Sequence, residues 1–306
     1  MRNRMLAELK NELTEMEFEE IYPVIENYMD ISIEIDKCDA EDYSNTGNSR
    51  IAGDPDLPEH FIWPVLEDRF FTFIAQINCT ELPEGAPDIF PKTGIMYFFL
   101  GPDDSAYDIA NYVFYFNGDL SGVKRTAPPE FKKSISKERN FNSKKISFKL
   151  NLSFHIEDEL YDKFDAMEIE SYEVEDIFEM ASGLWAPRES WSDDPRQSAY
   201  LCKNGFKELC FNTHRSPDEI SHDYKKSNTG MNYDESRVFH EKIKEFFDNR
   251  EYHEAQMKKW HILLKLSSMK EANMCWWDAG YLQFLINEDD FKNLDFSKTY
   301  ACIATS

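Results

Sequence analysis

One short pattern occurs twice in this chain, and it limits the possible folds more than any other stretch. Phe70-Phe71-Thr72-Phe73-Ile74-Ala75-Gln76-Ile77 is followed by Gly94-Ile95-Met96-Tyr97-Phe98-Phe99, and His261-Ile262-Leu263-Leu264-Lys265-Leu266 by Gly280-Tyr281-Leu282-Gln283-Phe284-Leu285-Ile286. Each copy reads as a strand, a polar acidic connection, a glycine and an aromatic-rich second strand. Self-similarity of this kind predicts a duplicated strand-rich unit, in which neighbouring strands pair antiparallel across short turns.

The material around the repeat is mixed. Leu6, Leu9, Leu13 and Met16 recur at helical spacing and predict an amphipathic helix from Met5 to the break at Pro23. Ile31, Ile33 and Ile35 alternate with Ser32, Glu34 and Asp36, a period of two that predicts a half-buried strand. A loop rich in Gly, Asp and Pro spans Tyr43 to Pro64, and strands are predicted at 70–78, 94–100, 111–117 and 146–154, the last with one face on a core and one in water. From Glu157 the period changes to that of one or two helices ending near Gly183, and the pattern is irregular from Trp185 to Asn232. A helix follows from Glu235 to Phe247, extended toward Trp260, and a last strand at Thr299 to Ala304. The expected fold is therefore α+β, with mostly antiparallel sheets in two pseudo-symmetric halves and peripheral helices. The expected organisation is a single compact domain over 1–306, divided into a helical lead (1–29), an N-terminal strand-rich half (31–156), a helical and irregular connection (157–260) and the C-terminal copy of the strand pair (261–306).

Size and charge narrow the function classes. The 306 residues include 24 Phe and 15 Tyr, ample material for a folded core. No apolar stretch approaches the roughly 20 residues that span a bilayer, and Met1-Arg2-Asn3-Arg4 leads into an acidic helix, so a cytoplasmic location is expected. A net charge of −24 and a pI of about 4.7 argue against nucleic acid or an anionic membrane as partner. The acidity fits a well-solvated surface, or a binder of a basic protein. Nine Lys or Arg between Lys124 and Lys149 stand against Glu130 and Glu138, whereas eleven acids between Glu157 and Glu179 face Lys163 alone. Blocks of opposite sign can satisfy each other within a fold; whether 157–179 covers 124–149 is not legible in the sequence. The six cysteines show no zinc-type spacing and are expected to be buried small hydrophobes without a disulfide framework.

Several motifs together resemble a known family. In order they are Gly53-Asp54-Pro55-Asp56-Leu57-Pro58, Trp63-Pro64, Phe73-Ile74-Ala75-Gln76-Ile77-Asn78, Leu82-Pro83 and Pro91-Lys92-Thr93-Gly94-Ile95-Met96-Tyr97-Phe98-Phe99. Near the other end, Leu263-Leu264-Lys265-Leu266-Ser267-Ser268, Met274-Cys275-Trp276-Trp277-Asp278-Ala279-Gly280, Phe284-Leu285-Ile286 and Asp295-Phe296-Ser297 continue the likeness. This set resembles the YwqG-like bacterial family, a domain of unknown function. The chain departs from the family pattern at Lys265, where Gln is usual, and at Trp276-Trp277-Asp278, where Trp-Gly-Asp is common. The family's middle signature is matched faintly by Gly183-Leu184-Trp185-Ala186-Pro187 and Gln197. The resemblance implies a compact α+β body with two related halves and, for some members, an immunity role beside toxin genes; it implies no reaction.

Candidate site residues follow from polar groups in apolar settings. Gln76 sits inside an apolar strand, where a buried amide must hydrogen-bond, either to loop backbone, holding the Gly53 to Trp63 segment down, or toward a pocket. Asp278 before Ala279-Gly280 is turn chemistry, with Asp bonding the amides ahead and Gly280 taking a positive φ. Trp276 and Trp277 beside it point to opposite faces if extended. A cleft between the halves would be lined by Trp63, Gln76, Trp185, Arg188 and Asp278, with Trp276 as a further ligand-binding candidate. No metal site is expected: His214 and His222, with Asp218, Glu219 and Asp223, are weak candidates because their spacing puts no two His at i and i+4. Ser216-Pro217-Asp218-Glu219 reads instead as a helix start. No nucleophile elbow or phosphate-cradling loop is present, 58 carboxylates make any chosen pair uninformative, and no cofactor is expected. The expected role is a non-catalytic binding or interaction module, an immunity-type binder of a basic protein. The alternatives are a small-molecule-binding protein with a cleft between the halves and, third, a hydrolase with a carboxylate site.

Overall fold

Both copies of the repeated pattern form antiparallel hairpins, and the two hairpins share one register. The computed structural model of the protein describes residues 1–129, 140–154, 158–178, 180–187 and 194–304. In chain order its strands are β1 (Met29–Ala40), β2 (Arg50–Ile51), β3 (Asp56–Leu57), β4 (Val65–Leu66), β5 (Arg69–Phe70), β6 (Thr72–Asn78), β7 (Ile95–Leu100), β8 (Asn111–Phe116), β9 (Lys124–Arg125), β10 (Lys144–Phe154), β11 (Ser182–Ala186), β12 (Trp260–Ser267), β13 (Tyr281–Asn287) and β14 (Tyr300–Ala304). Its helices are α1 (Arg2–Glu15), α2 (Tyr22–Ile25), α3 (Asp158–Ala166), α4 (Ser171–Ile177), α5 (Pro195–Lys203), α6 (Pro217–Ser227), α7 (Tyr233–Asp248), α8 (Arg250–Met257) and α9 (Glu288–Lys292). The fold is α+β, around a ten-stranded antiparallel sheet in the order β14-β13-β12-β11-β1-β10-β2-β6-β7-β8.

Hairpin β6–β7 pairs Ala75 with Phe98, Gln76 with Tyr97 and Ile77 with Met96; hairpin β12–β13 pairs Leu264 with Phe284, Lys265 with Gln283 and Leu266 with Leu282. Each first strand is bulged at the corresponding residue, Ile74 in one and Leu263 in the other. A bulge turns two successive side chains to the same side. Ile74 with Ala75, and Leu263 with Leu264, accordingly join one buried cluster. The repeated glycines correspond as well: Gly94 O accepts from Cys79 N and Gly280 O from Ser268 N, both at 2.9 Å.

The hairpins lie near opposite ends of the sheet, yet Phe98 and Phe284 meet edge to face with ring centroids 5.3 Å apart. The sheet is therefore rolled. Ile109 N donates to Ala301 O at 2.9 Å and Ile303 N to Ala106 O at 2.8 Å, so the connection entering β8 binds edge strand β14. Closure of this kind spends the edge hydrogen-bonding groups that would otherwise recruit another chain. The rolled face encloses the cluster of Ile33, Ile77, Met96, Phe98, Leu184, Leu266 and Phe284.

Three different covers protect the opposite face. Leu57, Trp63 and Phe71 cap Phe73, Tyr97 and Phe99 of the first hairpin. Helices α1, α3 and α4 bring Leu9, Leu13, Phe164 and Val174 onto Leu152 and Phe154 of β10. Helices α5 to α8 bring Leu201, Ile243 and Phe246 onto Ile262, Leu285 and Tyr300.

Several boundaries differ from the sequence expectation. The first helix ends at Glu15, because Glu17 turns left-handed (φ 65°) and Phe18 N bonds back to Leu13 O. The helical stretch after Glu157 does not run to Gly183: Ser182–Ala186 is strand β11, inserted between β1 and β12. Gly183 permits this contact, since a Cβ there would lie 2.3 Å from Ile33 O. The stretch read as irregular contains α5 and α6, and Asn249 separates α7 from α8. Three of the five described bases of the 124–149 block pair outside 157–179: Lys149 with Glu34, Lys124 with Glu59 and Arg125 with Asp56. Lys149 does so because β10 runs beside β1; Lys132, Lys133, Lys137 and Arg139 lie outside the described residues. No helix among the described residues is long and apolar enough to cross a membrane.

Candidate functional site

Buried charge concentrates where the segment from Glu41 to Leu57 crosses the outer face of β6–β7. Arg50 leaves β2 with its side chain fully buried, and a guanidinium out of water needs several acceptors. It donates from Nη2 to Asp56 Oδ2 at 2.5 Å and to Asn48 Oδ1 at 2.5 Å, and from Nη1 to Asp54 O at 2.8 Å. Its Nε faces Glu41 Oε2 at 3.3 Å. Asp56, equally buried, also accepts from Gly47 N at 2.7 Å and from Arg125 Nε at 3.0 Å. Two carboxylates thus neutralise two guanidiniums, and only Arg125, with 28% of its side chain exposed, carries the network to the surface.

Gln76 is the keystone beneath this segment. Its Oε1 accepts from Asp56 N at 2.7 Å, and its Nε2 donates to Asn48 O at 2.7 Å and Asp56 Oδ2 at 3.2 Å. The cross-strand Tyr97 hydroxyl donates to Asp56 O at 2.5 Å; burial, together with the Asp56 charge, pushes that hydroxyl well above its ordinary pKa. Tyr43 closes the outside, with Arg125 over its ring at 4.1 Å and Arg50 at 5.1 Å. Gly53 adopts φ 72°, and a Cβ there would sit 2.3 Å from the Tyr43 hydroxyl, so both conformation and space demand glycine. A network with this many partners fixes a loop on a sheet.

The residues expected from sequence fall on separate elements. Trp63 is buried, donates from Nε1 to Phe71 O at 2.8 Å and packs edge-on against Phe99, so with Gln76 it belongs to the first hairpin's cover. Trp185 on β11 stacks flat on His261, with centroids 4.2 Å apart, and contacts Phe90 and Phe291. Burial depresses the His261 imidazole to about 4, against the opposing pull of Glu288 at 3.8 Å. Arg188 lies outside the described residues. Trp276 is buried against Phe141, whereas Trp277 is half exposed. Asp278 is exposed in the connection before β13. The left-handed residues in that connection are Asn273, Trp277 and Ala279, not Gly280 as the turn reading expected, because Gly280 already bonds in strand register with Ser268.

The two weak metal candidates are both exposed. His222 lines an open depression of about 390 Å³ with Arg215, Asp218, Glu219 and Asp223, and Arg215 is held there by Asp223 at 2.6 Å. Among the described residues no three metal-binding side chains converge. The Ser216 segment is a helix start, as its sequence predicts: Ser216 Oγ accepts from Glu219 N, and the Glu219 carboxylate accepts from Ser216 N.

Sequence reasoning missed Arg50, Glu41 and Arg125. Its one available signal was Asp56 within Gly53-Asp54-Pro55-Asp56-Leu57-Pro58, a buried-loop motif with a carboxylate at its centre. The family description Domain of unknown function (DUF1963) matches residues 49–304. Arg50, Asp56, Gln76, Tyr97 and Arg125 lie within that span, and Glu41 and Tyr43 precede it. No curated protein matches the chain.

Proposed function

We propose, from the premise that this chain belongs to the DUF1963 family of domains of unknown function, that it is a non-catalytic binding module whose acidic helical layer holds a basic protein partner. The observation that carries this reading is the distribution of charge over α1, α3 and α4. Their apolar stripes turn inward, with Leu6, Leu9 and Leu13 against Phe164 and Val174. Their outer faces, with the turn between α3 and α4, are left to carboxylates, among them Glu12, Glu15, Asp165, Glu168, Glu173 and Asp176, all exposed. The few bases of the layer are engaged within it: Arg2 with the Glu26 and Met29 carbonyls, Arg4 with Glu8, Lys10 over the Tyr22 ring and Lys163 over the Tyr28 ring. A surface of one sign steers an oppositely charged partner and rejects nucleic acid and anionic lipid. The arrangement suits an immunity-type binder, and the YwqG-like likeness is the narrower family reading of the same span. By contrast, the buried Arg50 network supports a structural role, since its hydrogen bonds are spent within the fold.

The test is capture of partners from source-cell extract by the full chain and by a variant carrying Glu12→Lys, Glu15→Lys, Asp165→Lys and Glu168→Lys. The expected result is a basic protein retained at low salt, weakened at moderate salt as charges are screened, and lost from the variant. Equal retention by both proteins, or none by either while both unfold cooperatively, would overturn the reading.

A further inference from the structure

Away from both the acidic layer and the Arg50 network, two cysteines meet. Cys202 lies in the last turn of α5 and Cys210 follows a single helical turn at Lys207–Leu209; their sulfurs are 3.6 Å apart. The backbone between them is a built reversal. Asn204 N bonds to Tyr200 O, Gly205 takes φ 83°, and Phe206 N returns to Leu201 O at 2.7 Å. Phe206 and Leu209 are buried beneath it, which fixes the two sulfurs on one side. Both cysteines are half-buried, and neither is in a disulfide.

The site is held to the rest of the fold by charge. Asp108 receives Lys203 Nζ at 3.1 Å and Lys207 Nζ at 2.9 Å, and Tyr107 packs edge-on against Phe211 beside Cys210. The same connection bonds β14 through Ile109 and Ala106, so the dithiol sits over the junction that closes the rolled sheet. Contact between the sulfurs divides their roles: it draws the Cys210 thiol below its ordinary value and, together with burial, pushes Cys202 up. Lys207 favours a thiolate here and Asp108 opposes it.

We propose that Cys202 and Cys210 form a reversible dithiol–disulfide site, oxidised by small-molecule disulfides of the glutathione type. The Cys210 thiolate attacks one sulfur of the oxidant, forming a mixed disulfide and releasing the other half as a thiolate, which takes up the proton Cys210 gave to solvent. Cys202, deprotonated in turn, attacks the Cys210 sulfur; the Cys202–Cys210 bond forms, the mixed disulfide breaks and the second half leaves as a thiol. The protein loses two electrons and two protons, and one disulfide becomes two thiols. A sulfur–sulfur bond of about 2.0 Å requires the side chains to close by roughly 1.5 Å, a rotamer adjustment within a preformed turn.

The full chain in a series of oxidised-to-reduced glutathione ratios, mapped by peptide mass, tests the proposal. Expected is a Cys202–Cys210 linked peptide that disappears on adding excess dithiol, while exposed Cys275 carries at most a glutathione adduct. In Cys202→Ser the adduct on Cys210 is trapped; in Cys210→Ser the link is lost and adduct formation at Cys202 slows by about tenfold or more. Thiol loss confined to Cys275, or adducts on both Cys202 and Cys210 of the wild-type chain with no link between them, would overturn it. The wild-type map stands without the variants if either substitution impairs folding.

Discussion

Hairpins β6–β7 and β12–β13 have the same register, the same bulge and the same glycine bond, yet they are covered by opposite means. The first lies under a polar loop, pinned by Gln76 and a buried four-charge network. The second lies under α5 to α8, packed through Leu201, Phe246 and Ile262. At corresponding positions the first pairs Gln76 with Tyr97, both fully hydrogen-bonded, and the second pairs Lys265 with Gln283, whose buried Nε2 has no hydrogen-bond partner among the described residues. A repeated backbone therefore sets where strands go, and the cover decides which side chains matter. If that is right, equivalent substitutions in the two hairpins have unequal costs.

The largest effect belongs to Asp56→Ala. Arg50 would keep only Glu41 as a counter-charge, and Arg125 would lose its anchor. Breaking a buried ion pair from one side costs about 3–5 kcal/mol, read as a fall in the urea midpoint. A loss below about 1 kcal/mol would mean that the loop is held by its apolar contacts alone. Next comes Gln76→Ala, which strands Asp56 N and Asn48 O in the interior and leaves a small void, for about 3 kcal/mol. Proteolysis within 41–57 should rise with it, since the loop loses its tie to the sheet.

A pH dependence of up to about 3 kcal/mol should separate the hairpins, since each tenfold difference in proton affinity is worth about 1.4 kcal/mol. His261 on β12 has a folded-state pKa near 4 against 6.5 when unfolded, so the native ring resists protonation. Stability from this group is complete above about pH 6.5 and is lost as pH falls toward about 4, because the unfolded chain takes up the proton first. In His261→Phe, which keeps a ring on Trp185, unfolding free energy should flatten across that window relative to wild type. An unchanged slope would place the acid sensitivity elsewhere in the fold.

Strands β6 and β7 are legible because Phe73 to Ile77 and Ile95 to Leu100 are mostly apolar, aromatic-rich runs set between turn residues, and each hairpin pairs its two strands as the sequence order predicts. Strand β11 is not. Ser182–Ala186 is five residues long with cover on both faces, so no alternation marks it, and its place beside β1 rests on the missing Cβ of Gly183. Gln76 was legible as an amide in an apolar run, with loop-pinning as one of its two readings. Its partners were not, since Arg125 reaches Asp56 from 69 residues away and Arg50 stands in a loop without periodicity. Cys202 and Cys210 escaped notice because an eight-residue separation means contact only when Gly205 reverses the chain.

The smallest expected effect is the sharpest test of the comparison. Gln283 occupies in β12–β13 the place Tyr97 holds in β6–β7, is 1% exposed, and makes one weak contact as acceptor from Cys302 Sγ at 3.5 Å. With no partner for its Nε2 among the described residues, this buried amide carries its desolvation cost in the wild-type protein already. Gln283→Leu removes that cost and keeps the volume, so unfolding free energy should stay within about 1 kcal/mol of wild type or rise. Tyr97→Phe at the matching position removes a 2.5 Å bond to Asp56 O and should destabilise by about 1–2 kcal/mol. Opposite signs at one shared register position would show that the two hairpins diverged in chemistry while keeping their backbone; equal losses would mean that Gln283 is tied into the helical cover as firmly as Tyr97 is into the loop.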